Sequence, residues 1–532
     1  MRQLLMNFLA TVANLCALGV LRNPNDVALP LSPVSESAQA HLSQPGALMR
    51  NTTRSNDHEV LILGGGISGV MAAHALHRRG IRNIRIIEAR DELGGRLKSF
   101  DFGVPGRRFT LELGADWIHG TQSGDGPANP IYELALKHGL DTRPNDYRGS
   151  ISTFDYSGSV DYLDTFYKSV DDFVNLTIAA GKRVPRGLVD ATARHGYSVV
   201  GAKPRTPHEI ASEYYQFDWE LGQTPEQSSW IGSAWAANFT FDVDHGGFST
   251  TNLLTIDQRG FARLVQEEAA GFIQENQVLL NATVTDVEHS LDGVTVALAD
   301  GRRLSADYAL VTFSLGVLQN DDVRFVPPLP DWKVEAIHGM TMGTYTKIYL
   351  QFPKKFWFDT EFALYADRER GRYPVWQSLD LEGFFPGSGI LFATVTGDYS
   401  MRIEALPDDQ VKEEVISVLR AMYPDIEIPD PDDFYFPRWH SDPLYRGSYS
   451  NWPAALVLAH HANLRAPVQE SLWFAGEATS LKYFGYLHGA YIEGQKMGER
   501  IASCIAAREH RQTLPHYDEV LNAAPYDLSD LD

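Results

Sequence analysis

A short hydrophobic run that ends in glycines opens the folded part of the chain. Glu59 to Leu63 predicts a buried strand, Gly64 to Gly69 a glycine-rich turn, and Val70 to Arg79 has the spacing of a helix. A second hydrophobic run, Ile84 to Ile87, predicts the next strand and ends at Glu88. This order of strand, turn, helix and strand is typical of an α/β fold with a parallel sheet.

The glycine-rich turn has the spacing of a nucleotide-binding fingerprint. Gly64 permits a tight turn, Gly66 lets the backbone approach a pyrophosphate, and Gly69 allows the helix to pack closely on the strand. The start of the helix faces the phosphates with unpaired N–H groups, and Ser68, in the turn before it, is a candidate cofactor contact. Glu88, nineteen residues after Gly69, can accept hydrogen bonds from ribose hydroxyls. A nicotinamide dehydrogenase would begin in the same way, so this pattern alone does not choose the cofactor.

Two later regions continue the strand pattern. Near the middle of the chain, short runs separated by turns at Asp292-Gly293 and Asp300-Gly301 predict a small meander: Val278 to Leu280, Thr283 to His289, Val294 to Leu298 and Ala309 to Val311. Near the end, Trp473 to Glu477 predicts a buried strand, and Gly485 to Ala490 opens a helix predicted over Tyr491 to Ala506.

These regions predict two interleaved domains, since 532 residues exceed one ordinary core. We expect an α/β, Rossmann-like nucleotide-binding domain in three discontinuous segments, interleaved with an α+β substrate domain rich in aromatic residues. The predicted boundaries are 58–145, 255–325 and 441–506 for the first domain, 146–254 and 326–440 for the second, and 507–532 for a tail.

The amino-terminal region has the composition of a targeting segment. An apolar stretch, Leu4 to Leu21, follows one basic residue and predicts a signal peptide over 1–21, with an uncleaved membrane anchor as the alternative. Residues 22–57 are rich in Pro, Ser, Asn and Ala and predict a flexible leader. Four glycosylation sequons, at Asn51, Asn175, Asn238 and Asn281, agree with secretion. No later run could span a membrane.

Net charge and cysteine content limit which partners and cross-links the chain is expected to have. The formal net charge of −22 argues against a nucleic-acid partner and suits a cationic substrate, although it equally serves solubility. The only cysteines are Cys16, inside the predicted signal, and Cys504, so the mature chain forms no internal disulfide. We expect no metal site.

The residues after Glu88 favour a flavin. Gly94, Gly95 and Arg96 follow the ribose carboxylate directly, and this extended motif resembles the FAD signature of the flavin amine oxidases. Two bare glycines let the loop close over the diphosphate, and the arginine offers its charge to it. The resemblance implies FAD as the cofactor.

Ordered motifs from about Val60 to Ile505 resemble the plant and fungal type of polyamine oxidase: Gly114-Ala115-Asp116-Trp117-Ile118-His119-Gly120, Tyr214 to Glu220, Asp257 to Gly260, Tyr345-Thr346-Lys347-Ile348, Phe352 to Trp357 and Ser450 to Pro453. The resemblance implies oxidation of spermine, spermidine or their N-acetylated forms at a secondary amine, with oxygen as electron acceptor. The products are an aminoaldehyde, a shorter amine and hydrogen peroxide. Without a cysteine between Ser480 and Gly485, the FAD is expected to be non-covalent.

The resemblance also implies roles for individual residues. Lys347 falls on a central strand where the family has a lysine linked through water to flavin N5, and Glu220 where plant members have a tunnel carboxylate. Aromatic walls beside the flavin are expected from Tyr345, Tyr486, Trp117 and Trp452. Further FAD contacts are expected from Val284, Gly476, Glu477 and Leu487.

Two positions depart from the plant pattern. His119 stands where plant members have a glutamate and animal members a histidine, and Leu221 replaces a phenylalanine. The position of the bound amine, and hence the bond cleaved, therefore stays open. Other interpretations are a monoamine oxidase, an L-amino-acid oxidase, a histone demethylase, or a flavin-binding protein without turnover.

Overall fold

The computed structural model describes residues 58–183, 189–455 and 458–512. The predicted signal peptide, the leader with Asn51 and nearly all of the predicted tail lie outside these ranges. Among the described residues, no helix has the length and apolar character needed to cross a membrane.

The described strands are short and spread along the chain: β1 (Val60–Leu63), β2 (Ile84–Ile87), β3 (Ser99–Phe102), β4 (Phe109–Glu112), β5 (Trp117–Ile118), β6 (Thr142–Pro144), β7 (Ile151–Asp155), β8 (Gly158–Ser159), β9 (Leu253–Thr255), β10 (Val278–Leu279), β11 (Val284–Ser290), β12 (Gly293–Leu298), β13 (Arg303–Ala306), β14 (Tyr308–Val311), β15 (Arg324–Val326), β16 (Thr341–Gly343), β17 (Tyr345–Gln351), β18 (Phe362–Ala366), β19 (Val375–Ser378), β20 (Ile390–Thr396), β21 (Asp433–Tyr435), β22 (Tyr449–Asn451) and β23 (Leu472–Phe474).

The described α-helices alternate with these strands: α1 (Ile67–Arg78), α2 (Pro130–Lys137), α3 (Leu163–Arg183), α4 (Ala193–Val199), α5 (Pro207–Gln216), α6 (Asp218–Leu221), α7 (Trp230–Phe241), α8 (Arg263–Ala270), α9 (Leu315–Leu318), α10 (Asp331–Gly339), α11 (Gly397–Glu404), α12 (Asp408–Met422), α13 (Leu458–Arg465) and α14 (Leu487–Gln512).

A five-stranded sheet carries the nucleotide fingerprint, in the order β10-β2-β1-β14-β23. Its pairs are parallel, with Val60 opposite both Ile84 and Tyr308. The prediction that the runs at 278–280 and 309–311 belong to the meander is wrong, because β10 and β14 are strands of this parallel sheet. A short apolar run looks the same in a parallel sheet and in a meander, so the sequence pattern could not assign these two strands to the correct sheet. The antiparallel meander is formed by β11, β12 and β13, and β15 adds to β11 in parallel to complete a four-stranded sheet.

A seven-stranded sheet, in the order β21-β17-β20-β19-β18-β7-β8, forms the second layer. Strands β17, β18, β19 and β20 are buried almost throughout, because helices and loops cover both faces. Helix α5 packs against β18, and the short helix α6 packs against β20. This packing brings the motif from Tyr214 to Glu220 beside the strand that carries Lys347.

Both helices next to the cofactor motifs begin earlier than predicted. Helix α1 starts at Ile67, directly after the turn, and α14 starts at Leu487. The two helices cross where Gly494 meets the backbone of Ser68, and a Cβ on Gly494 would overlap the Ser68 carbonyl oxygen. The bare backbone of Gly494 therefore sets how closely α14 approaches the nucleotide turn.

We predict that Gly494→Ala lowers the free energy of unfolding by about 1 to 3 kcal/mol, because the added methyl group forces the two helices apart. Gly181→Ala is the matched control, since Gly181 also lies in a helix but a Cβ added there would have no other atom within 4 Å. That control should be neutral or stabilising by up to about 1 kcal/mol. Thermal unfolding of both variants measures the difference, and equal effects would contradict the close crossing.

A buried carboxylate, Glu112, closes the β3–β4 hairpin against the chain that follows β9. Its side chain is 6% exposed and accepts hydrogen bonds from the Phe261 N–H at 2.8 Å and the Ser99 hydroxyl at 2.9 Å. Burial raises its pKa from 4.5 to about 7, against the opposing effect of these hydrogen bonds and of the Lys347 ammonium. Between pH 4.5 and about 7, Glu112 is therefore protonated in the folded protein but ionised in the unfolded chain.

The raised pKa predicts a pH-dependent stability. Below pH 4.5 both states are protonated, and between pH 4.5 and about 7 the unfolded state alone ionises, so stability falls as pH rises. The fall attributable to Glu112 is about 3 kcal/mol. In Glu112→Gln this contribution should be absent, so the difference in melting temperature between the variant and the wild type should change across this window. A constant difference would contradict the raised pKa.

Candidate active site

A large cavity of about 840 Å³ touches both the five-stranded and the seven-stranded sheet. It is lined by most of the predicted site residues: Gly64, Gly66, Ser68, Glu88, Arg96, Trp117, His119, Glu220, Leu221, Val284, Tyr345, Lys347, Gly476, Glu477, Tyr486 and Leu487. The structure thus brings together residues that lie up to hundreds of positions apart in the sequence.

The nucleotide turn presents bare backbone to this cavity. Gly64 has φ +118°, and a Cβ there would overlap the Thr312 hydroxyl. A Cβ on Gly66 would meet only the Gly95 Cα, at 3.8 Å, so the space before it is open to a ligand. Gly69 does not line the cavity; its bare backbone packs against the Gly64 carbonyl, as the spacing predicts. These features fit a bound dinucleotide.

Glu88 is held at the end of β2 by the turn itself. Its two carboxylate oxygens accept hydrogen bonds from the Gly65 N–H at 2.7 Å and the Arg90 N–H at 2.9 Å. Each oxygen has a further lone pair, and the side chain lines the cavity, so the carboxylate can also accept ribose hydroxyls. This position fits the role predicted for it.

Arg96, which was predicted to offer its charge to the diphosphate, lines the cavity and also bonds within its wall. Its guanidinium donates to Glu477 Oε1 and to the Ser448 carbonyl oxygen, both at 2.9 Å. Glu477 was predicted as a separate cofactor contact, and spacing could not show that the two residues pair across the cavity wall. The pair leaves this part of the wall without excess charge.

Trp452 lies behind the cavity wall rather than on its surface. It was expected beside the flavin, but it does not line the cavity and is 3% exposed. Its ring stacks on Phe484, with centroids 5.5 Å apart, and meets Trp235 edge-on at 5.8 Å. Phe484 reaches the cavity, whereas the Trp452 ring does not. Trp452 therefore supports the cavity wall from behind, through its stacking on Phe484.

Lys347 lies on β17 with its side chain 4% exposed, and its ammonium points to the segment between β4 and β5. It donates to the Gly114 carbonyl at 2.8 Å and forms an ion pair with Asp116 Oδ2 at 2.7 Å. Sequence reasoning assigned no role to Asp116, although it belongs to the motif that was used for the family resemblance. The signal that could have found it is the need of a buried lysine for a counter-charge.

Aromatic rings form much of the wall of the cavity that Lys347 lines. Trp117 stacks on His119 with centroids 6.0 Å apart, and Tyr486 meets His119 edge-on at 5.1 Å. Tyr449, which was not predicted, lies 6.1 Å from Tyr345 and also lines the cavity. Such rings exclude water and fit a thin aliphatic ligand.

Glu220 projects from α6 into the cavity and has no cationic partner among the residues that the structure describes. Its Oε1 accepts a hydrogen bond from the Tyr486 hydroxyl at 2.7 Å, and its backbone carbonyl accepts one from Tyr449 at 3.1 Å. Leu221, which follows it, is 7% exposed and contributes an apolar contact to the same wall. The arrangement offers a negative charge to a cationic ligand.

The rings that surround Glu220 are uncharged near neutral pH. Burial lowers the pKa of His119, although Glu220 and Asp116 oppose that effect. Burial also raises the pKa of Tyr345 and of Tyr486 well above 10. His119 Nδ1 is buried and has no hydrogen-bond partner among the described residues. The neutral imidazole can therefore hydrogen-bond a ligand without repelling its positive charge.

Comparisons with known proteins agree with this site. Residues 67–502 match the family described as flavin containing amine oxidoreductase. Polyamine oxidase 1 of Zea mays is 35% identical over 473 residues, which cover 84% of this chain and 90% of the relative. Polyamine oxidase 7 of Oryza sativa subsp. japonica is 34% identical over 502 residues, which cover 89% of this chain and 99% of the relative.

A solved structure agrees in fold. Cyclohexylamine oxidase from Brevibacterium oxydans superposes with a TM-score of 0.65 at 21% identity, covering 85% of this chain and 100% of the other. The predicted α/β fold and FAD cofactor are confirmed. The chain belongs to the flavin-containing amine oxidoreductases and is an FAD-dependent oxidoreductase.

Proposed function

We propose that this enzyme oxidises polyamines such as spermidine and spermine, free or N-acetylated, at a secondary amine. The observation that carries the proposal is the Glu220 carboxylate, which faces an aromatic cavity without a cationic partner among the described residues. The names of the plant relatives support the same substrate class. The products would be an aminoaldehyde, a shorter amine and, from oxygen, hydrogen peroxide.

Bound FAD supplies the acceptor for a hydride from the carbon next to the reacting nitrogen, and oxygen then takes up the electrons. The chain's own residues prepare the amine for that step. Free amines have pKa values near 10 and are mostly protonated in water, whereas the reacting nitrogen must be neutral. The walls of Trp117, Tyr345 and Tyr486 exclude water and so disfavour the charge on that nitrogen.

Glu220 and Lys347 act at different points of the same cavity. Glu220 binds an ammonium group of the substrate remote from the reacting nitrogen, which fixes how far the chain enters. Neutral His119 forms a hydrogen bond with a substrate nitrogen that lies between the remote ammonium group and the flavin. Lys347 donates to the Gly114 carbonyl on the wall, and the resemblance to the family implies that it also hydrogen-bonds a water molecule next to the flavin.

The FAD is proposed to be held without a covalent bond. Cys504 lies on α14 and does not line the cavity, and the segment from Ser480 to Gly485 contains no cysteine. Shape and hydrogen bonds from the glycine-rich turn, Glu88 and the walls of the cavity would then hold the cofactor.

Glu220→Gln tests the proposed substrate class, because it removes the charge and keeps the size. Losing one charge-assisted hydrogen bond is worth about 1.5 to 3 kcal/mol, so the KM for spermidine should rise roughly ten- to a hundred-fold. A secondary amine with a neutral tail should be affected much less. Steady-state peroxide release measures both substrates.

Glu361→Gln serves as the matched control. Glu361 is a buried carboxylate, 5% exposed, that does not line the cavity, so its variant should leave both KM values unchanged. Equal losses for the charged and the neutral-tailed amine in Glu220→Gln would assign Glu220 to structure. Absence of peroxide release from the wild type with any polyamine would reject the proposed function itself.

We also propose that the protein is secreted and carries N-linked glycans. The support is the amino-terminal apolar stretch and the sequons, of which Asn175 and Asn281 are exposed whereas Asn238 is half-buried in the cavity lining. Expression in a eukaryotic host should release protein that begins after about residue 21 and loses mass on glycosidase treatment. Glycans are expected at Asn175 and Asn281 and not at Asn238. Recovery of unglycosylated protein that still begins at Met1 from the cell interior alone would contradict secretion.

A further inference from the structure

The ammonium of Lys347 has a charged neighbour that the proposed mechanism does not use. Asp116 Oδ2 lies 2.7 Å from Lys347 Nζ, and the two side chains are 13% and 4% exposed. Both residues line the cavity. At this distance and burial, the carboxylate cancels most of the field of the ammonium.

The segment that carries Asp116 is fixed by its neighbours. A Cβ on Gly114 would overlap the Arg96 carbonyl oxygen, so this glycine rests directly on the loop that contains the flavin motif. The Thr255 N–H donates to the Asp116 carbonyl oxygen at 2.9 Å. Asp116 is thus anchored between the cofactor loop and β9, and Lys347 is anchored to Asp116.

Asp116 and Glu220 act on the same rings. Both carboxylates raise the pKa of His119 against the larger lowering by burial, and both add to the raised pKa of Tyr345. The charged groups that act on both rings are Asp116 and Glu220, and Lys347 is the cation paired with Asp116. A further cation of the lining, Arg148, is exposed to solvent, which screens its charge, and lies over the Tyr147 ring at 5.2 Å.

This arrangement has a consequence for a cationic substrate. With Asp116 present, the Lys347 charge is balanced and Glu220 provides an excess negative charge to attract an ammonium group. Without Asp116, the ammonium of Lys347 would offset Glu220 and repel the substrate, because like charges in a partly desolvated site interact strongly.

We propose that Asp116 is a positioning and specificity-determining residue, which holds Lys347 on the cavity wall and cancels its charge so that Glu220 can select polycationic amines. The inference rests on the proposed function, since it takes Lys347 and Glu220 as parts of a polyamine site.

Asp116→Asn tests the inference, because the amide keeps the size and an acceptor for Lys347 but removes the negative charge. The KM for spermidine should rise about ten-fold, with a smaller change for a secondary amine that has a neutral tail. The reduction potential of the bound FAD should rise, because an uncompensated positive charge favours the more negative, reduced cofactor.

The double variant Asp116→Asn/Lys347→Met removes both charges and is the decisive control. Its turnover should stay low without the lysine, but its FAD potential and its KM for spermidine should return towards the wild-type values. A structural role of Asp116 would not produce this recovery. The proposal would be overturned if Asp116→Asn had the same FAD potential and KM for spermidine as the wild type. It would also be overturned if the double variant kept the FAD potential and KM of Asp116→Asn.

Two further outcomes remain informative. If Asp116→Asn fails to retain FAD, recovery of FAD in the double variant supports charge cancellation, and continued loss refutes it. If the wild type does not oxidise polyamines, the proposed function fails, while the FAD potentials of the three proteins still test the cancellation of charge.

Discussion

The carboxylate of Glu477 joins the separate parts of the chain that surround the cavity. It accepts hydrogen bonds from Arg96 in the cofactor loop, from the Ser450 N–H and hydroxyl on β22, and from the Gly485 N–H just before α14. Its side chain is 5% exposed. Removing one partner of a buried ion pair costs about 3 to 5 kcal/mol, so the cavity wall depends on this group. The cofactor loop, β22 and the start of α14 are thus fixed to one another through this carboxylate.

A second buried network fixes the helix that carries Glu220, the carboxylate proposed to bind the substrate ammonium. Asp218 lies on α6, two residues before Glu220, and pairs with Arg370 through two hydrogen bonds of 2.6 and 3.0 Å. Arg370 also donates to Glu213 on α5 at 2.9 Å. Helix α6 has only four residues, too few to be stable alone, so this network and the packing on β20 hold Glu220 in place.

The nucleotide-binding part of the site could be predicted from the sequence because the role of each residue depends on neighbours that are close to it along the chain. Gly64, Gly66 and Glu88 have roles that depend on spacing within one strand, turn and helix, and the structure places all three at the cavity. The assignment of β10 and β14 could not be read from their runs, since pairing in a parallel sheet connects distant segments. The pairing of Lys347 with Asp116, and the burial of Trp452 behind the wall, depend likewise on contacts across the fold. A sequence pattern gives no distance between residues that are far apart along the chain.

The order of strands in the five-stranded sheet has a consequence for biosynthesis. β1 emerges from the ribosome early, but its neighbour β14 follows only after the whole of β3 to β13, and β23 comes near the end. The nucleotide turn therefore stays without its complete sheet during most of translation, and exposed edges of β1 and β2 persist for that time. Contacts so distant along the chain also slow folding, because long loops must close first. Until the last strand arrives these edges can pair with other chains, and a nonsense mutation anywhere before β23 would leave the first strands with no finished sheet to join.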